Sequence, residues 1–239
     1  MGYKYWLPNE LGNKTDQFTD CNAVVIIGAN GAGKSHLGAW IEQQDLPIIH
    51  RIGAQRKLSF NDNIPLKSYY EAEDLVLYAN TTLSGRENKI YKYGSPSDGM
   101  FTMKQVDDFD NILSALIAKK TNESDEYLTS CQKAEKANSP YPHTPITVIA
   151  KLISIWDDIF PQRELIFEDS KFRATYRNNI DSKNKYSATK MSDGEKSVLY
   201  FTAQVLCVPK NKILIIDEPE LHLHKSLMND AGYRQKSSQ

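Results

Sequence analysis

The sequence has few cysteines, and none of them stand close together. Cys21, Cys131 and Cys207 are the three cysteines among 239 residues, and no CxxC pair occurs. Such a scattered set argues against a structural zinc site and against a framework of disulfides. We therefore expect a protein of a reducing, cytoplasmic compartment.

Long apolar runs are also absent. No segment approaches the roughly 18 consecutive apolar residues that indicate a membrane-spanning helix. The opening residues MGYKYWLPNELG lack the basic-then-apolar order of a signal peptide, and Trp6 stands where a myristoylation pattern has Ser or Thr. These observations predict a cytoplasmic chain without a membrane partner.

The chain carries no excess of charge of either sign. Lys and Arg number 29, Asp and Glu number 30, and the formal net charge is −1. A protein that binds nucleic acid by broad phosphate attraction is usually basic, so any nucleic-acid contact here is local or supplied by a partner. The basic residues of the segment 183–196 are open to two interpretations, a local nucleic-acid contact or a solvated charged loop, and the second is favoured.

The strongest pattern that is present is a phosphate-binding loop. Residues 28–35 read GANGAGKS, which matches GxxxxGK[ST], between an apolar run at 23–27 (AVVII) and a predicted helix at 35–44. We predict that 23–27 is a buried parallel strand, that the loop N–H groups bind a polyphosphate, and that Lys34 and Ser35 meet phosphate and Mg²⁺. The predicted nucleotide-binding residues of this loop are Gly28, Ala29, Asn30, Gly31, Ala32, Gly33, Lys34 and Ser35.

A second apolar run ends in two carboxylates. Residues 213–216 (ILII) are followed by Asp217, Glu218 and Pro219. At the end of a buried strand beside a phosphate loop, Asp217 can hold Mg²⁺ and Glu218 can take a proton from an attacking water.

The segment MSDGEK at 191–196 opens a predicted helix. Ser192 with Glu195 three residues later is the pattern of a capping box. Alternatively, Ser192, Gly194 and the helix N-terminus form a second anion site, for the γ-phosphate of a nucleotide bound by another subunit. The sequence leaves both interpretations open.

Periodicity predicts several further elements. They are a strand at 48–52, helices at 106–119, 146–160 and 194–206, a hairpin of 164–168 with 171–177, and a polar helix–loop segment at 121–141. The region from about 60 to 100 is polar and mixed, and Gly94, Pro96 and Gly99 mark loops in it.

GANGAGKS, MSDGEKS and ILIIDEPELHLH, in this order, resemble the core of ABC-type P-loop ATPases, in the branch of SMC, RecF and OLD-nuclease proteins. Asp193 stands where the family signature LSGGQ has its first glycine. IGAQRKL at 52–58 and VDDFDNILSAL at 106–116 resemble AAA-type ATPases of bacterial anti-phage defence modules, which are often encoded beside TOPRIM-like nucleases.

The resemblance implies ATP and Mg²⁺ as cofactors. It implies Lys34 as phosphate ligand and catalytic residue, Ser35 and Asp217 as the metal ligands, and Glu218 as the catalytic base. It further implies that Ser192 and Gly194 act across a head-to-tail dimer.

The family has a glutamine that touches the metal and the attacking water. Gln55 is the candidate for this residue here, and Gln105 is the alternative.

His222 and His224 fall in the region that resembles the family's D-loop, with a metal-binding HxH pair as a second interpretation. A further core strand with a switch histidine is expected after the acidic strand, but residues 219–239 do not resemble it. We therefore expect a chain that ends early relative to its family, with weak hydrolysis.

Together these patterns predict an α/β fold of the P-loop NTPase type, with a mainly parallel sheet around the phosphate loop and an inserted helical lid. The expected divisions are an ATPase-core part at 1–59, a helical and hairpin lid at 60–185, and a signature and acidic-strand part at 186–239.

The expected function is an ATP-hydrolysing switch that forms an ATP-dependent homodimer or larger assembly. It would gate a TOPRIM-like nuclease or another effector, in phage defence, with nucleic-acid binding left open. The alternatives are a nucleotide-binding subunit of an ABC transporter and an ATP-binding scaffold or fragment that does not hydrolyse.

Overall fold

The computed structural model describes residues 3–82, 89–94, 104–177 and 185–219. Its strands are β1 (Tyr3–Pro8), β2 (Lys14–Thr19), β3 (Ile49–Ile52), β4 (Arg163–Glu168), β5 (Lys171–Tyr176), β6 (Tyr186–Ser187) and β7 (Ile213–Ile216). Its helices are α1 (Lys34–Gln44), α2 (Tyr69–Tyr78), α3 (Ile90–Tyr93), α4 (Phe109–Lys136), α5 (Val148–Ile159) and α6 (Asp193–Cys207). None of the helices within these ranges is long and apolar enough to cross a membrane.

The chain forms two compact units. The first contains Met1–Arg56, Leu77–Val106 and Lys210–Pro219, and the second contains Lys57–Val76 and Asp107–Pro209. The predicted divisions at 1–59, 60–185 and 186–239 stay predictions.

A parallel pair of strands lies at the centre of the first unit. β3 and β7 pair in parallel, from Ile49 opposite Ile213 to Ile52 opposite Ile216. Helix α1 packs closely on this pair, since a Cβ added to Gly38 would lie 3.4 Å from Cγ2 of Ile215. A parallel pair joined through helical crossovers is typical of the α/β class, which agrees with the expected fold class. The mainly parallel sheet around the phosphate loop and the inserted helical lid stay predictions.

The strand predicted before the phosphate loop, at 23–27, is not formed, so this prediction is wrong. Residues 23–27 have no strand assignment, and Val25 and Ile27 are 79% and 91% exposed, where we expected burial. A buried strand needs a backbone partner and cover on both faces, and within the described ranges β7 pairs only with β3, never with 23–27. Local β-branched composition alone therefore does not bury this segment.

The N-terminal hairpin was not predicted. β1 and β2 pair antiparallel, with Pro8 opposite Lys14. Trp6 of β1 is buried in one cluster with Ile41 and Ile49. The hairpin thus covers part of α1 and the parallel pair.

Three buried charges occupy one site in the first unit. Glu42 accepts hydrogen bonds from Arg51 Nε at 2.9 Å and from Lys89 Nζ at 2.7 Å, and all three side chains are at most 1% exposed. The Arg51 guanidinium also lies 4.1 Å from the Tyr93 ring centre. Two cations around one carboxylate compensate the cost of burying the negative charge.

Lys89 makes the stability of this unit depend on pH. Burial lowers the pKa of Lys89 from 10.5 to about 8, and the neighbouring Glu42 only partly opposes this. The unfolded chain then binds more protons between pH 8 and 10.5, so stability rises with pH through that window. For Lys89→Met, in which Glu42 keeps Arg51, we expect this rise of about 1 kcal/mol per pH unit to be absent.

Chemical denaturation of both proteins from pH 7 to pH 10 measures this difference. Lys104→Met, which removes an exposed lysine of the same unit, serves as the control. Equal pH slopes for the Lys89 variant and the wild type would contradict the assignment.

Helices α4, α5 and α6 form the core of the second unit. Phe109, Leu113, Leu116 and Leu199 are fully buried, and Leu152 is nearly so. Helix α4 starts at Phe109 rather than 106, because Val106 forms a parallel bridge with Arg56. It then continues to Lys136, through most of a segment predicted as a helix–loop piece, as a largely exposed polar stretch.

Most of the remaining elements have the predicted type. β4 and β5 form the expected hairpin, and β6 pairs with β5 as a third strand. Helix α5 starts at Val148 instead of 146, because the Thr147 side chain caps it by accepting from Ala150 N. Helices α2 and α3 lie in the polar, mixed region, where no individual element was predicted; the face of α2 with Ala72 and Val76 is buried.

Candidate functional site

The phosphate loop has the backbone conformation that its glycines permit. Gly31 and Gly33 have φ values of +81° and +83°, a region that residues with a Cβ avoid. Gly33 is the N-cap of α1, and no side chain among the described residues caps this helix. The first N–H groups of α1 therefore have no partner within the helix and are available to an anion.

Lys34 lies over the same loop. Its Nζ donates to the carbonyl oxygens of Gly28 and Ala29, at 2.9 and 3.1 Å. These two bonds hold the ammonium group beside the uncapped helix N-terminus. Ser35 follows in the first turn of α1 and is half-buried. The loop thus presents a cation, a hydroxyl and free N–H groups together.

The acid pair follows the last residue of β7. Asp217 N donates to Ile52 O at 3.0 Å, which extends the pairing with β3 by one bond. Asp217 is 9% exposed, and its Oδ2 has no hydrogen-bond partner among the described residues. A buried carboxylate oxygen without a donor is unfavourable unless a cation or water meets it.

Asp217 and Ser35 offer the kinds of oxygen ligand that Mg²⁺ binds. Mg²⁺ takes oxygen ligands, typically one carboxylate and a hydroxyl together with phosphate oxygens and waters. Asp217 and Ser35 belong to the same compact unit and supply these two oxygen types. No group of three or more His, Cys, Asp or Glu that could hold a metal occurs in the described parts of the chain, so a cage made only of such side chains is not seen there.

Glu218 has an unusual backbone conformation. Its φ is +45°, in the left-handed region that residues other than glycine rarely adopt. Its carbonyl oxygen accepts a hydrogen bond from Arg56 Nη2 at 3.4 Å. Sequence reasoning missed Arg56, and no local signal marks it, because the contact spans 162 residues of sequence.

The two glutamine candidates lie beside each other. Arg56 and Val106 form a parallel bridge, and Val106 N donates to Gln55 O at 3.1 Å. Gln55 and Gln105 each directly precede a bridged residue, and both are exposed. The geometry therefore does not choose between them, and the role of either stays a prediction.

Ser192 forms the complete capping box. Glu195 N donates to Ser192 Oγ at 3.3 Å, and Ser192 N donates to Glu195 Oε2 at 2.9 Å. Arg163 Nε donates to Glu195 Oε1 at 2.6 Å. Burial alone would raise the pKa of Glu195, but the hydrogen bonds from Arg163 and Ser192 outweigh it and lower that pKa. The capping interpretation is confirmed, and the anion-site interpretation of Ser192 and Gly194 stays a prediction.

The predicted site residues thus fall into two groups. The phosphate loop, Gln55, Asp217 and Glu218 belong to the first unit, whereas Ser192 and Gly194 belong to the second. His222 and His224 lie outside the described residues.

Comparison with known proteins supplies the family. A family model described as "AAA domain, putative AbiEii toxin, Type IV TA system" matches residues 105–229, just over half of the chain. No curated protein and no solved structure matches the chain significantly. The matched range contains Ser192, Asp217 and Glu218, while the phosphate loop precedes it and indicates ATP binding independently. The chain belongs to this AAA domain family and is a P-loop ATPase of the α/β class.

Proposed function

We propose that this protein is an ATP-hydrolysing switch whose two copies clamp ATP between them and whose hydrolysis gates a nuclease or another effector. One observation carries the proposal: the first unit contains both the glycine loop with the N-terminus of α1 and the buried Asp217 at the end of β7. The family description, which names a toxin and a toxin–antitoxin system, supports a defence setting.

The nucleotide-binding step rests on the loop. The N–H groups of residues 28–35 and the Lys34 ammonium bind the β- and γ-phosphates. To do so, Lys34 exchanges its bonds to Gly28 O and Ala29 O for phosphate oxygens. Because the ammonium already lies at the loop, little reorganisation is needed.

The hydrolytic step rests on Glu218. It orients a water and accepts its proton as the water attacks the γ-phosphate. Asp217 and Ser35 would hold Mg²⁺, which neutralises charge on the phosphate oxygens when it is bound. Gln55 or Gln105 would complete the arrangement around the water.

The dimer step rests on Ser192 and Gly194. In this proposal they bind the γ-phosphate held by the other copy, so that ATP joins the two chains and its hydrolysis releases them. The capping box identifies what must change: the Ser192 hydroxyl, which donates to Glu195 Oε2 at 2.8 Å, has to turn toward the phosphate.

The second candidate is an ATP-binding scaffold that does not hydrolyse. The exposure of residues 23–27 favours it, because a segment that forms no strand before the phosphate loop holds that loop less rigidly than a buried strand would. A less rigid loop positions the reacting groups less accurately, and hydrolysis depends on that positioning more than binding does.

Light scattering with calorimetry tests the switch. The purified protein should bind ATP with Mg²⁺ and double its mass, whereas ADP should leave the mass unchanged. Nucleotide binding at constant mass and without turnover would favour the scaffold.

Ser192→Gly separates the two roles of Ser192. Glycine is a tolerated N-cap, so the variant should lose only a few tenths of a kcal/mol of stability. Each copy in the dimer then loses one charged hydrogen bond of about 1.5 kcal/mol, so the ATP-dependent dimer should weaken about 100-fold. Sedimentation of both proteins with ATP measures this effect, and unchanged dimer affinity would leave Ser192 as a cap alone.

A further inference from the structure

Arg56 is a buried cation that binds main-chain oxygens. It is 4% exposed and follows the carboxyl end of β3. Its Nη1 donates to Gly53 O at 3.1 Å and to Ala54 O at 3.4 Å. Its Nη2 reaches Glu218 O at 3.4 Å. The planar guanidinium thus joins the segment after β3 to the segment after β7.

The main chain of Arg56 is itself well anchored. The parallel bridge to Val106 and the bond from Val106 N to Gln55 O hold it on one side. Because the backbone of Arg56 is anchored and its guanidinium is a rigid planar fork, this side chain holds the atoms that it binds in place better than a flexible lysine would.

Glu218 needs such an anchor. The ladder bonds that tie β7 to β3 extend as far as Asp217 N. The next residue, Glu218, has a φ of +45°, a strained conformation that persists only where surrounding structure holds it. Arg56 donates a hydrogen bond to the carbonyl oxygen of this residue.

We propose that Arg56 is a positioning residue for Glu218: by binding the Glu218 carbonyl oxygen it maintains the left-handed turn from which the carboxylate faces the attacking water. Arg56 touches no reacting atom in this proposal and acts through Glu218. The inference rests on the hydrolytic role proposed for Glu218.

The test compares Arg56→Met with Arg56→Lys in wild-type and Glu218→Gln backgrounds. ATP affinity is measured by calorimetry, and single-turnover hydrolysis with labelled ATP gives the rate. In the wild-type background, Arg56→Met should slow hydrolysis about ten- to hundredfold while ATP affinity stays within about twofold. Arg56→Lys keeps the charge but not the fork, so it should show an intermediate rate.

The double variant provides the decisive comparison. If Arg56 acts through Glu218, either Arg56 substitution in the Glu218→Gln background should cause no further loss of rate. An equal fractional loss in both backgrounds would overturn the proposal, and so would unchanged rates in the wild-type background.

Two controls keep the outcomes separate. Arg177→Met removes an exposed arginine of the second unit and should leave the rate unchanged. If Arg56→Met does not fold by circular dichroism, the same comparison is made with Arg56→Lys. If wild-type hydrolysis does not depend on Glu218 at all, the proposed function itself fails, which is a different result from additive losses.

Discussion

Lys34→Ala is expected to abolish tight nucleotide binding. In the structure the Lys34 ammonium lies within 3.1 Å of two loop carbonyl oxygens, beside N–H groups that no side chain caps. When phosphate replaces those oxygens, alanine forfeits at least two charged hydrogen bonds of about 1.5 kcal/mol each, so affinity for ATP should fall about 100-fold or more. Calorimetry with ATP and Mg²⁺ measures the change.

Lys133→Ala is the matched control, since it removes an exposed lysine in the last turn of α4. It should bind ATP like the wild type. Equal ATP affinity in Lys34→Ala and wild type would refute the phosphate-loop assignment. Thermal melts should show that the Lys34 variant still folds, because the two hydrogen bonds that it loses are solvent-exposed.

Glu218→Gln is expected to preserve ATP binding and to slow hydrolysis about 10²- to 10⁴-fold, which leaves a rate that single-turnover experiments can measure. Glutamine has nearly the same shape but cannot accept a proton, and a general base contributes about 10²- to 10⁴-fold to rate. Affinity should remain within about twofold, because the phosphate contacts come from other residues. The variant should also prolong the ATP-dependent dimer, since slower hydrolysis releases it later.

Steady-state phosphate release together with light scattering measures both effects. Glu164→Gln, which changes an exposed glutamate of β4, is the control and should hydrolyse ATP normally. If the Glu218 variant turns over at the wild-type rate, the base lies elsewhere. If neither protein turns over while both bind ATP, the scaffold function is correct instead.

Much of the site could be predicted because its chemistry is local in sequence. The spacing of glycines, Lys34 and Ser35 determines a loop followed by a helix N-terminus, and both are present. Ser192 and Glu195 stand three residues apart, which is enough to form a capping box. The hairpin of β4 and β5 needs only alternation and a tight turn.

Other features could not be predicted, because they depend on neighbours distant in sequence. The run at 23–27 has a strand composition, yet it is exposed, because burial requires strands and helices on either side of it. The extension of α4 to Lys136 on a polar face has no hydrophobic period to mark it. The buried group of Glu42, Arg51 and Lys89 joins three segments that show only ordinary surface charges in sequence.

The sequence by itself determined the chemistry of this protein: a phosphate loop, an acid pair and a capped helix, each set by residues within one short segment. Only the tertiary structure decided which distant groups meet. It buried Arg56 against the Glu218 carbonyl, and in the part of the chain that the structure describes no donor reaches Asp217 Oδ2. The physical reason is that burial and hydrogen-bond pairing are properties of the packed chain, whereas turn, cap and loop geometry follow from neighbouring residues.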